Sequence, residues 1–404
     1  MTPSLSTPNT SAWQLEPIEV DVAVLGAGQA GLAVAYYLRR AGLRAWTGYV
    51  LLDANPGPGG AWAHVWPSLR LFSPAEYSSL PGWPMPAPTG RGFPPAAHVV
   101  DYLTRYEDRY ELPVHHEVRV TGVSRLDDDG DGRLLVQTTA GVWAARVVVS
   151  ATGTWGRPFV PFYPGIDSFA GCQLHSAQYA GPQEFVGQRV VVVGGGNTGA
   201  QVLAELSEAA RTTWVTARPP TFLPDDVDGR ALFMAATARR QALDAGRPDP
   251  GGVASLGDVV MVPPVREARE RGVLVARPMF SRLTRTGVEW SDCTAEEADV
   301  VLWCTGFRPD LAHLAPLGLR GAAGRIPTTG TRALAEPRLY LVGYGDWTGP
   351  GSATLIGVGR TARETVADLT ARLEALPSAP RRLRQRPARS AEGVRHEGGL
   401  TSPR

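Results

Sequence analysis

Residues 22–31 read Val22-Ala23-Val24-Leu25-Gly26-Ala27-Gly28-Gln29-Ala30-Gly31, an apolar, β-branched run that breaks into Gly26-x-Gly28-x-x-Gly31 and opens directly into a helical pattern. Strand, glycine turn and helix in this order are the mark of a dinucleotide-binding unit. Each glycine has its own reason. Gly26 makes the tight turn, Gly28 lets the backbone approach a pyrophosphate, and Gly31 lets the helix close on the strand. The phosphates would lie at the helix N-terminus, where unpaired N–H groups and the dipole favour negative charge. Asp53 ends the next apolar strand, Tyr49-Val50-Leu51-Leu52, where a ribose 2′-hydroxyl needs an acceptor.

The pattern recurs downstream as Val190-Val191-Val192-Val193-Gly194-Gly195-Gly196-Asn197-Thr198-Gly199, so two nucleotides are expected. The strand after it, Thr212-Thr213-Trp214-Val215-Thr216, ends without an acid and runs into Ala217-Arg218. An arginine there suits a 2′-phosphate, which points to NADP in the second site, with Arg211 a weaker candidate for the same contact. The expected fold is α/β, with two dinucleotide-binding Rossmann-like domains, the NADP domain inserted in the FAD domain.

The chain has 404 residues, enough for two or three domains with large cores. Forty basic against 39 acidic residues leave a formal net charge of +1, which gives no bulk electrostatic case for nucleic acid. Every basic residue is arginine; the absence of lysine excludes Schiff-base catalysis. The N-terminal stretch has neither a basic n-region nor an apolar h-region, and no apolar run is long enough to span a membrane, so a cytoplasmic protein is expected. Cys172, Cys293 and Cys304 are far apart and form no CxxC, which removes a redox dithiol. No metal site is expected.

Taken in order, residues 1–17 read as a flexible tail and residues 18–165 as the first part of the FAD domain. Asn55-Pro56-Gly57-Pro58-Gly59-Gly60-Ala61-Trp62 is a loop whose paired glycines let backbone lie against a flat ring, so Gly60 and Trp62 join the flavin site. A Trp- and Pro-rich loop follows over residues 66–86. Its aromatics, Trp66, Phe72, Tyr77 and Trp83, are expected to wall a substrate pocket with Trp62. Residues 96–110 form an amphipathic helix, then three strands make a meander whose Asp127–Gly132 turn mimics an EF-hand start. Thr138 at position twelve rules out calcium. The third strand exits through Ala151-Thr152-Gly153, with a matching exit at Cys304-Thr305-Gly306. Residues 166–303 are the NADP domain and 304–375 return to the FAD domain, carrying Gly343-Tyr344-Gly345-Asp346. Residues 376–404 are a disordered basic tail. Asp225, Asp226 and Asp228 read as a solvated turn capping the helix that follows.

Between the two units lies Phe169-x-Gly171-x-x-x-His175-x-x-x-Tyr179. With the two fingerprints and the two Thr-Gly exits, it resembles the class B flavin-dependent monooxygenases, and its Tyr ending resembles the flavin-containing monooxygenases more than the Baeyer–Villiger enzymes. The resemblance covers roughly residues 20–372. Within the class, GGAWAHVWPSLRLFSPAEYSSLPGWPMP, RPPTFLPDDVDGR and MVPPVREARERGV are most similar to the ArsO-type flavoproteins of bacterial arsenic-resistance operons.

What the resemblance implies is FAD held by Gly26, Gly28, Gly31, Asp53, Gly60, Trp62, Thr152, Gly153 and Asp346, and NADPH held by Gly194, Gly196, Asn197, Gly199 and Arg218. NADPH would reduce FAD, O₂ would add to give a C4a-(hydro)peroxyflavin, and a soft heteroatom (N, S or trivalent As) of a small molecule would take one oxygen, with arsenic resistance as a role. His175 and Trp62 are the catalytic candidates, although for His175 a hydrogen bond to the nicotinamide dinucleotide or a lock on the crossover has equal standing. One departure is Leu71-Phe72-Ser73 where the family often carries an Asn. The alternatives are an NAD(P)H-dependent flavin reductase or oxidase, and a redox-sensing flavoprotein without turnover. The partners expected are a small-molecule substrate and O₂; a homodimer stays open.

Overall fold

The computed structural model describes residues 16–90, 92–126, 132–249, 258–321 and 324–375. Both expected tails and the Asp127–Asp131 part of the meander turn lie outside the described residues, apart from the last two residues of the N-terminal stretch.

Val22, Val24 and Leu25 have no exposed surface, as a strand with parallel neighbours on both edges and cover on both faces requires. This strand, β1 (Ile18–Leu25), sits in a sheet with β2 (Tyr49–Leu52), β3 (Val114–His115), β4 (Val120–Arg125), β5 (Leu134–Thr138) and β6 (Gly141–Ser150). A second sheet is built from β7 (Cys172–His175), β8 (Arg189–Val193), β9 (Arg211–Thr216), β10 (Ala276–Pro278) and β14 (Val300–Trp303), with a small antiparallel sheet of β11 (Arg282–Leu283), β12 (Gly287–Glu289) and β13 (Ala295–Glu297). The chain then rejoins the first sheet through β15 (Thr328–Thr329), β16 (Arg332–Ala333) and β17 (Leu339–Leu341).

The first sheet runs β15-β16-β17-β6-β1-β2-β3. One edge of β6 is divided: Gly141–Ala145 pair antiparallel with β5, and Val148–Ser150 pair parallel with β17. Its other edge pairs with β1 along most of its length. The second sheet, β10-β9-β8-β14-β7, is parallel throughout.

Helices α1 (Gln29–Arg40), α2 (Ala96–Arg109) and α6 (Leu355–Ala375) cover one face of the first sheet. Val22 and Val24 pack there, while Ala23 and Leu25 point to the opposite core with Val123, Leu314 and Leu341. On the second sheet, Val190 and Val192 face α3 (Asn197–Leu206) and α5 (Pro263–Glu270), and Val191 and Val193 face the small antiparallel sheet through Phe280, Leu283 and Trp290. The remaining helix, α4 (Gly229–Asp244), leaves the second unit and packs on the first. Phe233 meets Tyr77, Arg239 pairs with Asp346 at 2.8 Å, and Arg240 pairs with Glu364 at 3.4 Å.

Candidate cofactor cradles and the crossing between them

Gly26 has φ +97°, and a Cβ there would lie 2.7 Å from the Ala151 carbonyl oxygen. At Gly31 a Cβ would lie 1.9 Å from the Gly26 oxygen. Both positions therefore need glycine for the chain's own packing. Gly28 differs, because an added Cβ meets only the Gly60 Cα at 3.8 Å. The Gly59-Gly60 loop lies against the turn backbone to backbone, and a Cβ on Gly60 (φ +54°) would be 2.7 Å from the Gly28 Cα.

Trp62 Nε1 donates to Gln29 Oε1 at 3.0 Å, and Gln29 Nε2 donates to the Ala353 carbonyl at 2.7 Å. Gln29 thus ties the Trp62 loop to the lead-in of α6, a role nothing in its sequence context announces. Asp53 is buried and accepts from the Ala27 N–H at 2.6 Å and the Asn55 N–H at 2.8 Å.

The second cradle repeats the first. Gly194 has φ +136° and would put a Cβ 2.3 Å from the Cys304 carbonyl oxygen, Gly199 would put one 2.1 Å from the Gly194 oxygen, and Gly196 has nothing within 4 Å. Ala151 and Cys304, the first residues of the two exits, are the equivalent backstops. Neither α1 nor α3 has a side-chain cap or an acidic residue in its first turn. Two uncapped helix N-termini, each beside a glycine with an open face at the C-terminal edge of a parallel sheet, fit the pyrophosphates of two dinucleotides.

Asn197 Oδ1 accepts from the Val260 N–H at 2.8 Å, so this side chain holds the 258–260 segment beside the cradle. Arg218 follows the C-terminal end of β9 with its side chain 73% exposed. Arg211 starts β9 and is excluded from the same task by strand direction, because a parallel sheet presents its ligands at the other end.

The crossing between the units is laced by two strands of chain. Phe159 N–H donates to the Gly306 carbonyl at 3.0 Å, Asp310 N–H to the Gly153 carbonyl at 3.0 Å, and Arg308 N–H to the Arg157 carbonyl at 2.8 Å. Trp155 stacks on Phe307 with centroids 5.0 Å apart. His175 is part of this lacing: it is buried, its Nδ1 accepts from the Ala177 N–H at 3.0 Å, and its Nε2 lies 2.9 Å from the Gly306 carbonyl. An Nδ1 that accepts leaves the proton on Nε2, which then donates to Gly306. Burial lowers its pKa below the ordinary histidine value. Both ring nitrogens of His175 are thus given to backbone partners, an arrangement that fits a lock on the crossover and gives the catalytic expectation no free nitrogen.

Thr152 is likewise engaged by the protein. Its Oγ1 donates to the Asp310 carbonyl at 2.6 Å and lies 2.8 Å from the Tyr344 hydroxyl, which also reaches Ser150 Oγ at 2.8 Å. Ser150 Oγ in turn lies 3.2 Å from His313 Nε2. This buried network under Ala151–Gly153 was missed in the sequence, although Tyr344 stands inside the quoted Gly343–Asp346 run. Asp346 follows β17 on the same sheet edge, with its carboxylate paired to Arg239.

The expected aromatic pocket wall is corrected, because its members are spread over three cores: Trp62 and Trp83 pack on one, Trp66 on a second and Phe72 on a third. Trp66 is buried in the second unit, 5.9 Å from Tyr179, and donates Nε1 to Glu205 at 3.2 Å. Phe72 packs against Leu223 and Leu232, Tyr77 against Phe233 with Arg230 over its ring, and Trp83 lies on Tyr102 with Arg105 and Arg109 stacked on it. A cavity of about 780 Å³ opens beside Trp66, Leu69, Leu71, Val227, Val260 and Met261. Asp228 Oδ1 caps α4 by accepting from Arg230 and Ala231, and Asp225 forms an ion pair with Arg269, so the acidic turn has structural partners. Among the described residues there is no group of side chains arranged to hold a metal, and no helix long and apolar enough to cross a membrane.

Residues 23–228 match the family described as pyridine nucleotide-disulphide oxidoreductase. The solved structure of a flavin-containing monooxygenase from Stenotrophomonas maltophilia is 50% identical, covers 88% of this chain and 99% of its own, and superposes with a TM-score of 0.79. The uncharacterised oxidoreductase CzcO of Bacillus subtilis is 28% identical over 351 residues, 86% of this chain and 99% of its own length. A Baeyer-Villiger monooxygenase of Streptomyces coelicolor is 33% identical over 233 residues, 56% of this chain and 43% of its own.

Proposed function

We propose that this chain, which belongs to the flavin-containing monooxygenase family, oxygenates a soft heteroatom of a small neutral molecule: an amine nitrogen, a thioether sulfur or trivalent arsenic. It is a flavin-dependent monooxygenase with FAD and NADPH as cofactors. We assign FAD to Gly26, Gly28, Gly31, Asp53, Gly60 and Trp62, and NADPH to Gly194, Gly196, Gly199 and Arg218. When bound, the pair supplies a hydride and a flavin that reacts with dioxygen. The protein's own residues bind and orient. The α1 and α3 N-termini would face the pyrophosphates, Trp62 is oriented through Gln29, and the Gly153–Asp310 and Gly306–Phe159 bonds fix one cradle against the other.

The observation that carries the heteroatom reading is the state of the one candidate base among the catalytic candidates: His175 has both nitrogens on backbone partners. A nucleophilic lone pair takes an oxygen atom without first losing a proton, so a site whose candidate base is engaged suits it. Arsenic enters through the likeness to the ArsO-type sequences, and resistance to arsenicals is the corresponding role. The first experiment is anaerobic mixing with NADPH, where bleaching of the flavin separates an enzyme from a redox sensor. The second is oxygen-dependent NADPH consumption with a tertiary amine, a thioether, arsenite and a methylated trivalent arsenical. Product from the amine or thioether without any arsenical product keeps the chemistry and removes the arsenic role.

A further inference from the structure

Arg218 carries a partner that a pure 2′-phosphate clamp does not need. Its Nη2 donates to Asp258 Oδ1 at 2.5 Å. Asp258 is a fixed charge. Its Oδ2 accepts from the Thr221 N–H at 3.0 Å and the Thr221 hydroxyl at 2.9 Å, while the Asp258 and Val259 N–H groups both donate to the Thr221 carbonyl. Leu223 N–H donates to Val259, and Val260 N–H to Asn197 at the start of α3. Segment 258–260 is therefore tied to the Arg218 loop on one side and to the second cradle on the other. Burial raises the Asp258 pKa, but the Thr221 and Arg218 contacts outweigh it and hold the carboxyl below its ordinary value, so it is ionised at neutral pH.

We propose that Asp258 sets the cofactor preference of the second cradle, neutralising Arg218 so that a nucleotide bearing a 2′-phosphate is favoured only weakly over one without it. This rests on the reading of Arg218 as the residue facing the ribose. A guanidinium has five N–H donors, and those not given to Asp258 remain available to a phosphate. The phosphate approaching them also meets the carboxylate behind, and in a pair of zero net charge the repulsion cancels much of the attraction. A nucleotide with an unmodified 2′-hydroxyl brings no such charge and is indifferent to Asp258. NADH is thereby accepted alongside NADPH.

The test is calorimetric binding of 2′,5′-ADP and 5′-AMP to the FAD-loaded protein, for wild type, Asp258→Asn, Arg218→Ala and the double variant. Asp258→Asn keeps an oxygen for Thr221 and removes the charge; Asp258→Ser is the second variant should the first fail to fold. The expected result is that 2′,5′-ADP binds about five- to tenfold more tightly to Asp258→Asn while 5′-AMP changes by less than about twofold, with no gain when Arg218 is also removed. Unchanged or weaker 2′,5′-ADP binding in both Asp258 variants, with Arg218→Ala still selective against 2′,5′-ADP, overturns the inference and leaves the Arg218 assignment standing. Equal losses of both ligands in Arg218→Ala overturn the assignment itself.

Discussion

At Gly28 and Gly31 a small side chain has opposite consequences. Gly31→Ala drives a Cβ into the Gly26 oxygen, 1.9 Å away, so α1 must shift off β1. The expected cost is about 1–3 kcal/mol of folding stability, visible as a lower melting temperature with or without added FAD. At Gly28 an added Cβ meets only the Gly60 Cα, at 3.8 Å, so the Gly28→Val apoprotein should melt near the wild-type temperature while losing flavin from its absorption spectrum. If Gly28→Val instead binds flavin normally, the pyrophosphate does not lie over this turn. The packing need for glycine at positions 26 and 31 was readable in the sequence because strand, turn and helix adjoin in a single stretch. Asn197 and Thr152 were not, since their partners Val260 and Asp310 are brought to them only by the second sheet and the crossing.

Among the elements, α4 depends most on tertiary context. Its start was readable, because Asp228 stands as an N-cap before an apolar run, and the structure gives it that role. Its destination was not, because Arg239 and Arg240 find Asp346 and Glu364 more than a hundred residues away. The aromatic loop failed in the same way. Composition suggested one apolar wall, yet Trp66, Phe72, Tyr77 and Trp83 each join whichever core the docked units place beside them. The strands β11 to β13 are two or three residues long, too short for an alternating pattern to register. Since α4 straps the two units, Arg239→Gln with Arg240→Gln should raise amide hydrogen exchange over Gly345–Thr348 and leave β1 and α1 protected. Unchanged exchange there would remove the strap. Phe307→Ala, which deletes the ring stacked on Trp155, should expose both crossing segments to limited proteolysis; equal resistance would assign the crossing's rigidity to its backbone bonds alone.

At the scale of the molecule, three histidines among the described residues are held neutral by burial. His115, His175 and His313 all have lowered pKa values, and His313 falls from 6.5 to about 4. Each binds a proton more readily in the unfolded chain, so unfolding takes up protons below pH 6.5. The stability each contributes is complete above that value and is lost as pH falls, for His313 down to about pH 4, where the loss reaches about 3 kcal/mol. The melting temperature should therefore drop across this window, and His313→Gln should flatten the drop. A profile equally steep in the variant would place the acid sensitivity elsewhere.

The two cradles, joined by a laced crossing and matched along nearly the full length of a flavin-containing monooxygenase, make oxygen transfer the central claim. Its most direct test is the fate of isotopically heavy dioxygen during NADPH turnover of the FAD-loaded protein with a thioether. Sulfoxide carrying one heavy oxygen atom per NADPH consumed is the predicted result. NADPH oxidised with all its electrons recovered as hydrogen peroxide, and no labelled product from the thioether, the amine or the arsenicals, would contradict it.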